Sequence, residues 1–303
     1  MTEDVTLTRK WARKCREPEG ITERLRKSGF WRAVRNNPFA APGLVIVVGF
    51  LVIAAFPGLF AQADPTKINM SDRMLPPSVE HPAGTDWMGM DQYSRIIYGA
   101  RVTLQNVTIV LAIATSAGFL VGSTAGFLGG YVDEILMRVT DVFLAFPSLI
   151  LAIAVNSVLG RGLFQTMLAV GFSWWPSYAR LIRGQVLCVK NEEYVMAAEA
   201  LGARPARVLL KHVLPNCFAT VIVRITLDVG FVALTTAGLS FLGLGVEPPT
   251  PEWGRMVAEG RDYLLQQWWM ATFPGLALFL VVVGFNLFGE IVRDWLDPSG
   301  INR

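Results

Sequence analysis

The stretch TLQNVTIVLAIATSAGFLVGSTA, residues 103–125, has no charged side chain across its 23 positions. A helix of this length rises about 35 Å, which is enough to cross the roughly 30 Å hydrocarbon core of a bilayer. Five further blocks of similar apolar character accompany it. Because a helix satisfies its own backbone hydrogen bonds in lipid, the pattern predicts an all-α polytopic membrane protein with six transmembrane helices. The predicted spans are 42–61, 103–125, 136–159, 164–182, 217–245 and 268–292.

The composition of the 303-residue chain agrees with this class. Hydrophobic residues make up 52% of it and charged residues 17%, whereas soluble domains carry about 25% charged residues. These values exclude a disordered chain and argue against a soluble enzyme. The net charge of +3 is too small and too scattered for a nucleic-acid-binding protein, so we expect no nucleic-acid partner.

The distribution of positive charge predicts the orientation of the spans. If the N-terminus is cytoplasmic, 17 Lys and Arg residues lie on inner segments and 7 lie on outer ones. The positive-inside rule therefore places both termini in the cytoplasm. Ten of these residues lie in the first 40, which suits contact with anionic membrane lipid.

This topology divides the chain into four parts. Residues 1–40 are expected to form a basic cytoplasmic tail, and residues 41–102 contain the first transmembrane helix and an external loop. The transmembrane core occupies residues 103–297 and includes the inner loop 183–216. Residues 298–303 form a C-terminal tail.

Small residues repeat every four positions in the second span, at Ala114, Gly118, Gly122 and Gly126. The spacing puts them on one face of the helix, where another backbone can approach closely. Two interpretations are open. The face is either an interface with another subunit or a packing surface within the same bundle.

The residue types that usually carry chemistry form no recognised catalytic or metal-binding motif. The three cysteines make no CxxC pair, and His81 and His212 have no cysteine nearby, so we expect neither a metal site nor a disulfide framework. The chain also lacks the glycine-rich Walker A loop that cradles nucleotide phosphates. We therefore expect no catalytic residue, no cofactor in this chain and no ATP hydrolysis by the chain itself.

The inner loop 183–216, RGQVLCVKNEEYVMAAEALGARPARVLLKHVLPN, is too long for a simple connection. Asn191 is suited to cap an alanine-rich helix over residues 194–201, and Gly202 to end it. Pro205 can begin a second short helix. The loop thus predicts two helices separated by a glycine break. They either dock onto another protein or lie as an amphipathic pair on the lipid surface.

The same loop resembles a motif of a known family. The matching positions are Ala197, Ala198, Gly202, His212, Leu214 and Pro215. Their spacing is similar to the EAA loop of permease subunits of bacterial ABC importers, although Met196 stands where that family usually has Glu. In that family, the loop forms coupling helices that enter a groove on the ATPase subunit. The resemblance implies ATPase coupling through Glu193, Tyr194, Ala197, Ala198, Gly202, Leu214 and Pro215.

Two further stretches resemble the dipeptide, oligopeptide and nickel branch, in particular its C-type permease. The first begins at His81-Pro82 and continues to residue 101, with Met90 in place of the usual Arg. The second is LSFLGLGVEPPTPEWG, residues 239–254, preceded by threonines where the family often has an acidic residue. The resemblance covers about residues 30–297 and implies the fold of type I ABC importer permeases.

The resemblance also implies a function and partners. Such a subunit forms part of the path for peptides or a related small solute through the bacterial inner membrane. Its partners are a second homologous permease, one or two ATPase subunits that bind ATP and Mg, and an extracytoplasmic substrate-binding protein. Glu252 and Trp253, in a proline-rich outer turn, either contact that binding protein or form a rigid cap on the pore.

Three ionisable residues within the predicted spans are candidates for the translocation path. Arg224 and Asp228 are four residues apart and can pair on one helix face. Asp141 lies near the inner end of the third span. Charges are costly in a bilayer, so these residues line the path, pair structurally inside the bundle, or extend to the inner membrane interface.

Two other functional classes are alternatives to an importer subunit. A stand-alone channel or secondary transporter, not powered by ATP, would more often have broken helices or internal repeats, and no clear repeat is present. A membrane-embedded enzyme would need a cluster of catalytic polar residues, which the sequence does not contain.

Overall fold

The predicted apolar blocks correspond to helices in the structure, a computed structural model that describes residues 40–296. The predicted tails, 1–40 and 298–303, therefore lie outside the described residues except for Ala40. The helices are α1 (Ala40–Ala55), α2 (Pro57–Phe60), α3 (Gln92–Leu128), α4 (Gly130–Leu144), α5 (Ser148–Leu159), α6 (Leu163–Lys190), α7 (Glu193–Ala200), α8 (Pro205–Val208), α9 (Leu214–Phe241), α10 (Trp253–Arg261) and α11 (Trp269–Leu296). A short 3-10 helix (Met70–Asp72) and a π-helix (Leu209–Val213) complete the elements.

The bundle has two distinct ends. Residues 191–213 connect α6 to α9 at what we name the loop end. Residues 61–91 and 242–268 form a cap at the opposite end, which includes α10. At the start of α11, Trp269 Nε1 donates to the carbonyl of Thr85 across 3.2 Å. This bond joins the last membrane helix to the cap.

α1 and α11 pack antiparallel to each other. A Cβ added to Gly43 would lie 2.6 Å from Leu287 Cβ, and one added to Gly284 would lie 2.5 Å from Ile46 Cγ2. Since α11 begins at the cap, α1 runs from the loop end toward the cap. The first and last described residues therefore both lie at the loop end, as an even number of crossings requires.

The small residues of α3 serve packing within the bundle. A Cβ added to Gly118 would lie 2.4 Å from Tyr178 Cβ of α6, and one added to Gly122 would lie 2.4 Å from the carbonyl oxygen of Ala179. Both distances are far shorter than van der Waals contact, so only glycine lets α3 and α6 come this close. Of the two interpretations of the stripe, packing within the same chain is confirmed.

Within residues 40–296, three helices are long and apolar enough to cross a membrane alone: α3, the continuous helix over residues 205–241, and α11. α1 is shorter, with 16 residues, and α6 has the length but is less apolar. The prediction of a single helix over 136–159 is wrong, because α4 and α5 are bent by 90°. Pro147 lies at the break; it lacks a backbone N–H and disfavours a helical conformation in the residue before it.

The loop differs from the prediction at both of its junctions. Asn191 ends α6, where its side-chain amide donates to the carbonyl of Leu187 across 2.9 Å, so it does not cap α7. α8 is not a separate short helix, since it continues through the π-helix into α9 as one helix of 37 residues. Pro215 does not interrupt that helix, because the wider π turn before it accommodates the missing N–H.

Candidate functional site

Gly202 ends α7 in the left-handed conformation that the sequence predicts, with φ +79°. Its N–H donates to the carbonyl of Glu199 (2.9 Å), and the N–H of Ala203 donates to the carbonyl of Ala198 (3.1 Å). No described atom lies within 4 Å of a Cβ added at Gly202. A larger residue here would be disfavoured by its own backbone conformation rather than by a clash.

The loop carries both buried and exposed apolar side chains. Val195 and Val208 are fully buried against the bundle. Met196, Leu201 and Leu210 point away from it and are 50%, 89% and 63% exposed. Exposed apolar residues grouped on one surface mark contact sites for protein or lipid. A contact role for these three was not expected from the sequence, although Leu201 directly precedes Gly202.

Tyr194 braces α7 against the start of the long helix. Its hydroxyl donates to the carbonyl of His212 (3.2 Å) and accepts from the Asn216 side-chain amide (2.9 Å). The other predicted coupling residues differ in how exposed they are. Glu193, Ala197 and Gly202 are exposed, and Ala198, Leu214 and Pro215 are half-buried.

Arg224 and Asp228 form the ion pair that their spacing predicts. Arg224 Nε lies 2.8 Å from Asp228 Oδ2, and the Tyr178 hydroxyl donates to the same oxygen across 2.9 Å. The Asp228 side chain is 4% exposed and that of Arg224 is 47% exposed. The buried carboxylate therefore fixes an arginine that remains open to its surroundings.

Asp141 pairs with Arg180 of α6, a partner that the sequence analysis missed. Next to this pair, Arg183 binds Asp133 through Nε and Nη2, both at 2.5 Å. These partners are 39 and 50 residues apart in the chain, so sequence spacing does not reveal them. The signal available in the sequence was an arginine, Arg180, in the fourth predicted span and an aspartate, Asp141, in the third.

Glu252 and Trp253 are structural parts of the cap. Glu252 accepts hydrogen bonds from the N–H groups of Gly254 (3.1 Å) and Arg255 (2.8 Å) at the start of α10, and Trp253 Nε1 donates to the carbonyl of Ile96 (3.0 Å). The two residues are 2% and 3% exposed. Burial raises the pKa of the Glu252 carboxyl above its ordinary value. Both side chains are buried, which fits the rigid-cap interpretation, and the contact with a binding protein stays a prediction.

Arg95 is a second anchor of the cap, and the sequence analysis did not single it out. The residue is 1% exposed, and its Nη1 donates to the carbonyls of Pro65 (3.2 Å) and Pro249 (3.1 Å). Its Nε lies 3.5 Å from Asp86 Oδ2. Burial raises the pKa of Asp86, and the positive charge of Arg95 opposes that rise. One side chain thus connects three segments that are distant in sequence.

Comparison with known protein families gives two matches. Residues 118–300 match the family described as the inner membrane component of binding-protein-dependent transport systems. Residues 28–77 match the N-terminal transmembrane domain of oligopeptide transport permease C.

Several named proteins are similar over most of their length. A probable D,D-dipeptide transport system permease of Escherichia coli strain K12 is 43% identical over 266 residues, which is 88% of this chain and 89% of that protein. A dipeptide transport system permease of Alkalihalophilus pseudofirmus is 40% identical over 269 residues, 89% and 88% of the two chains. A nickel transport system permease of E. coli K12 is 40% identical over 255 residues, 84% and 92% of the two chains.

Among solved structures, an inward-facing form of the MetNI methionine ABC transporter has a similar fold. The TM-score is 0.53, and the match covers 66% of this chain and 96% of that one at 17% sequence identity. At this identity the likeness concerns the fold alone. It agrees with the predicted all-α architecture of a type I importer permease.

Proposed function

This chain belongs to the family of inner membrane components of binding-protein-dependent transport systems, and we propose that it carries peptides or a related small solute and couples to ATPases through loop 183–216. As a member of that family, it is a membrane-spanning permease subunit of an ABC importer. A stand-alone channel or secondary transporter does not fit this membership.

The relatives support a peptide-class substrate. Permeases named for dipeptides and for nickel are both 40% identical to this chain, so overall identity does not separate the two substrates. The match of residues 28–77 to the N-terminal domain of an oligopeptide permease favours peptides.

The proposed complex contains this subunit, a second homologous permease, one or two ATPases and an extracytoplasmic substrate-binding protein. The ATPases bind ATP and Mg and hydrolyse the nucleotide, while this chain forms part of the path. The loop end faces the cytoplasm and the cap faces outward. The excess of Lys and Arg on the inner segments supports this orientation, as does the position of both described chain ends at the loop end.

The observation that carries the proposal is the unbroken connection between the loop and a membrane helix. The exposed face of Met196, Leu201 and Leu210 offers the ATPase an apolar surface. The 37-residue helix over 205–241 then runs about 55 Å from that surface into the membrane. Movement of the loop on ATPase closure therefore moves α9, and Arg224 with it.

The translocation path is proposed to run along α4, α6 and α9. Asp141 and Arg224 are about half exposed on this surface. Each charge facing hydrocarbon costs about 2.5–3.5 kcal/mol on insertion scales, which favours a water-filled space over lipid. Asp228 is buried, so its part in the path is to hold Arg224 in place.

Substitution on the exposed face of the loop tests the coupling role. The subunit is purified with its partners after Leu201→Asp, with Val79→Asp in the cap as a control, since both are exposed apolar residues. We expect Leu201→Asp to reach the membrane at the normal level but to lose the ATPase and solute uptake, because a charge is buried in the contact. Val79→Asp should retain the ATPase. Normal ATPase association and uptake in Leu201→Asp would contradict the proposal.

A further inference from the structure

Two ion pairs on neighbouring membrane helices differ in burial. The Asp228 side chain is 4% exposed and is bound by both Arg224 and Tyr178. The side chains of Arg180 and Asp141 are 58% and 54% exposed. The Arg224–Asp228 pair is therefore fixed, whereas the Arg180–Asp141 pair, which we name the open pair, is exposed on the surface of the subunit.

The open pair lies within two predicted spans, near their inner ends. Arg180 is ten residues from Lys190, where α6 ends, and Asp141 is eleven residues from Gly130, where α4 begins. At 1.5 Å per residue, both lie about 15 Å from the loop end. Ionisable residues within membrane spans usually face a bundle interior or a water-filled cavity rather than lipid. The half-exposed Arg224 lies on α9, which contacts α6 as α4 does.

A neighbouring ion pair keeps α4 and α6 together independently of the open one. Arg183 holds Asp133 through two nitrogen atoms, and the two side chains are 33% and 17% exposed. Bidentate arginine–carboxylate pairs have a fixed geometry. Separation of Arg180 from Asp141 therefore leaves the two helices joined.

We propose that Arg180 and Asp141 form an exchangeable ion pair that receives the charged ends of a zwitterionic solute, the solute's carboxylate on Arg180 and its ammonium on Asp141. An exposed ion pair contributes little to stability, so its partners separate at small cost. The exchange replaces one neutral pair by two, and no net charge enters the membrane region. A bare metal cation would bring uncompensated charge to the same place. The inference rests on the proposed function and narrows its substrate class to zwitterions such as peptides.

Cysteine accessibility tests whether water reaches the side chain at position 180. Arg180→Cys is made in the full complex with Cys15, Cys188 and Cys217 replaced by serine, and is treated with a water-soluble cationic methanethiosulfonate. The control is Leu120→Cys on α3, which is 72% exposed and about 12 Å from the end of its helix. We expect the Arg180→Cys variant to react at least about tenfold faster than the Leu120→Cys variant. A cationic adduct at position 180 should restore uptake of alanine dipeptide, whereas an anionic adduct should not.

Neutral variants test the exchange itself. In the reconstituted complex with its binding protein, Arg180→Gln with Asp141→Asn should lower subsaturating uptake of labelled alanine dipeptide at least about tenfold, with ATPase association unchanged. The matched control is Arg261→Gln in the cap, which also removes an exposed Arg–Asp pair.

The outcomes separate the two proposals. If the wild-type complex imports no peptide, the peptide-class substrate of the proposed function fails and the exchange fails with it. If it imports the dipeptide, but Arg180→Cys reacts no faster than Leu120→Cys or the neutral double variant transports normally, only the exchange is overturned.

Discussion

Tyr178 donates its hydroxyl hydrogen to Asp228 Oδ2 across 2.9 Å, and this bond joins α6 to the long helix that begins in the loop. Both residues are buried. The same carboxylate oxygen accepts a hydrogen bond from Arg224 Nε. Hydrogen bonds to an ionised group are about twice as strong as those between neutral groups. The contact is therefore a firm polar link between two membrane helices.

Tyr178→Phe removes this link without changing the shape of the ring. We expect it to lower the stability of the subunit by about 1.5–3 kcal/mol, because a buried charged acceptor loses a donor. It should also lower the amount of solute imported per ATP hydrolysed, since α9 is held less firmly. Thermal unfolding in detergent and coupled uptake assays measure the two effects. Tyr131→Phe, at an 85% exposed position, is the control, and an equal effect of both variants would sink the prediction.

Substitutions at Arg224 and Asp228 should be non-additive. Arg224→Ala leaves a buried carboxylate without its cation and is expected to cost about 3–5 kcal/mol. The double variant Arg224→Ala with Asp228→Ala should cost less than the sum of the single losses, because no unpaired charge remains. Thermal unfolding and membrane assembly of the three variants provide the cycle. Strictly additive losses would show that the two side chains are not coupled.

Gly202→Val should uncouple the subunit while leaving it in the membrane. Valine at φ +79° is strained by about 1 kcal/mol or more, and relief of that strain changes the angle between α7 and α8. We expect reduced ATPase association and reduced uptake. Gly160→Val is the matched control, since Gly160 has φ +91° and open space around it but lies between α5 and α6. Equal losses in both variants would assign the effect to general instability.

The cap should be accessible from outside the cell and the loop from inside. Glu80→Cys and Ala200→Cys, each in a background without the three native cysteines, place one exposed thiol at each end. An impermeant maleimide should label the Glu80→Cys variant in intact spheroplasts, and the Ala200→Cys variant only after the membrane is opened. The reverse pattern would invert the proposed topology.

Glu252→Gln should flatten the pH dependence of stability. Burial raises the pKa of this carboxyl in the folded protein above its ordinary 4.5, so the folded state binds the proton more readily than the unfolded state. Stability therefore falls as pH rises from 4.5 through the raised pKa. Glutamine keeps an oxygen acceptor for the start of α10 and does not titrate. Thermal unfolding measured across that pH range should show a smaller decline of stability in Glu252→Gln than in the wild type. The control is Glu80→Gln at an exposed position, which should decline as the wild type does. Equal declines in all three proteins would refute the assignment.

Local patterns predicted much of this structure. Apolar block length identified the helices, and the four-residue spacing of Arg224 and Asp228 identified their ion pair, because both depend on residues close in sequence. The left-handed Gly202 followed in the same way, since a helix end commonly requires that conformation. These features are set by one helix or one turn.

Features that depend on packing between helices were not predictable. The pairing of Arg180 with Asp141 joins residues 39 positions apart. The burial of Trp253 depends on the start of α3, 157 residues earlier. The continuity of α8 with α9 depends on a π turn before Pro215, and a proline in a sequence more often signals an interruption.

The hydrogen bond from Tyr178 attaches the helix over residues 205–241 to α6 at Asp228, and this point divides the helix into two unequal arms. The residue is 23 positions after Pro205 and 13 before Phe241, which corresponds to arms of about 35 Å and 20 Å. If the helix tilts about this pivot, its tips move in opposite directions, and a shift of about 5 Å at the loop becomes about 3 Å at the cap. A single rigid rod can thus narrow one mouth of the path while it widens the other, with every backbone hydrogen bond intact.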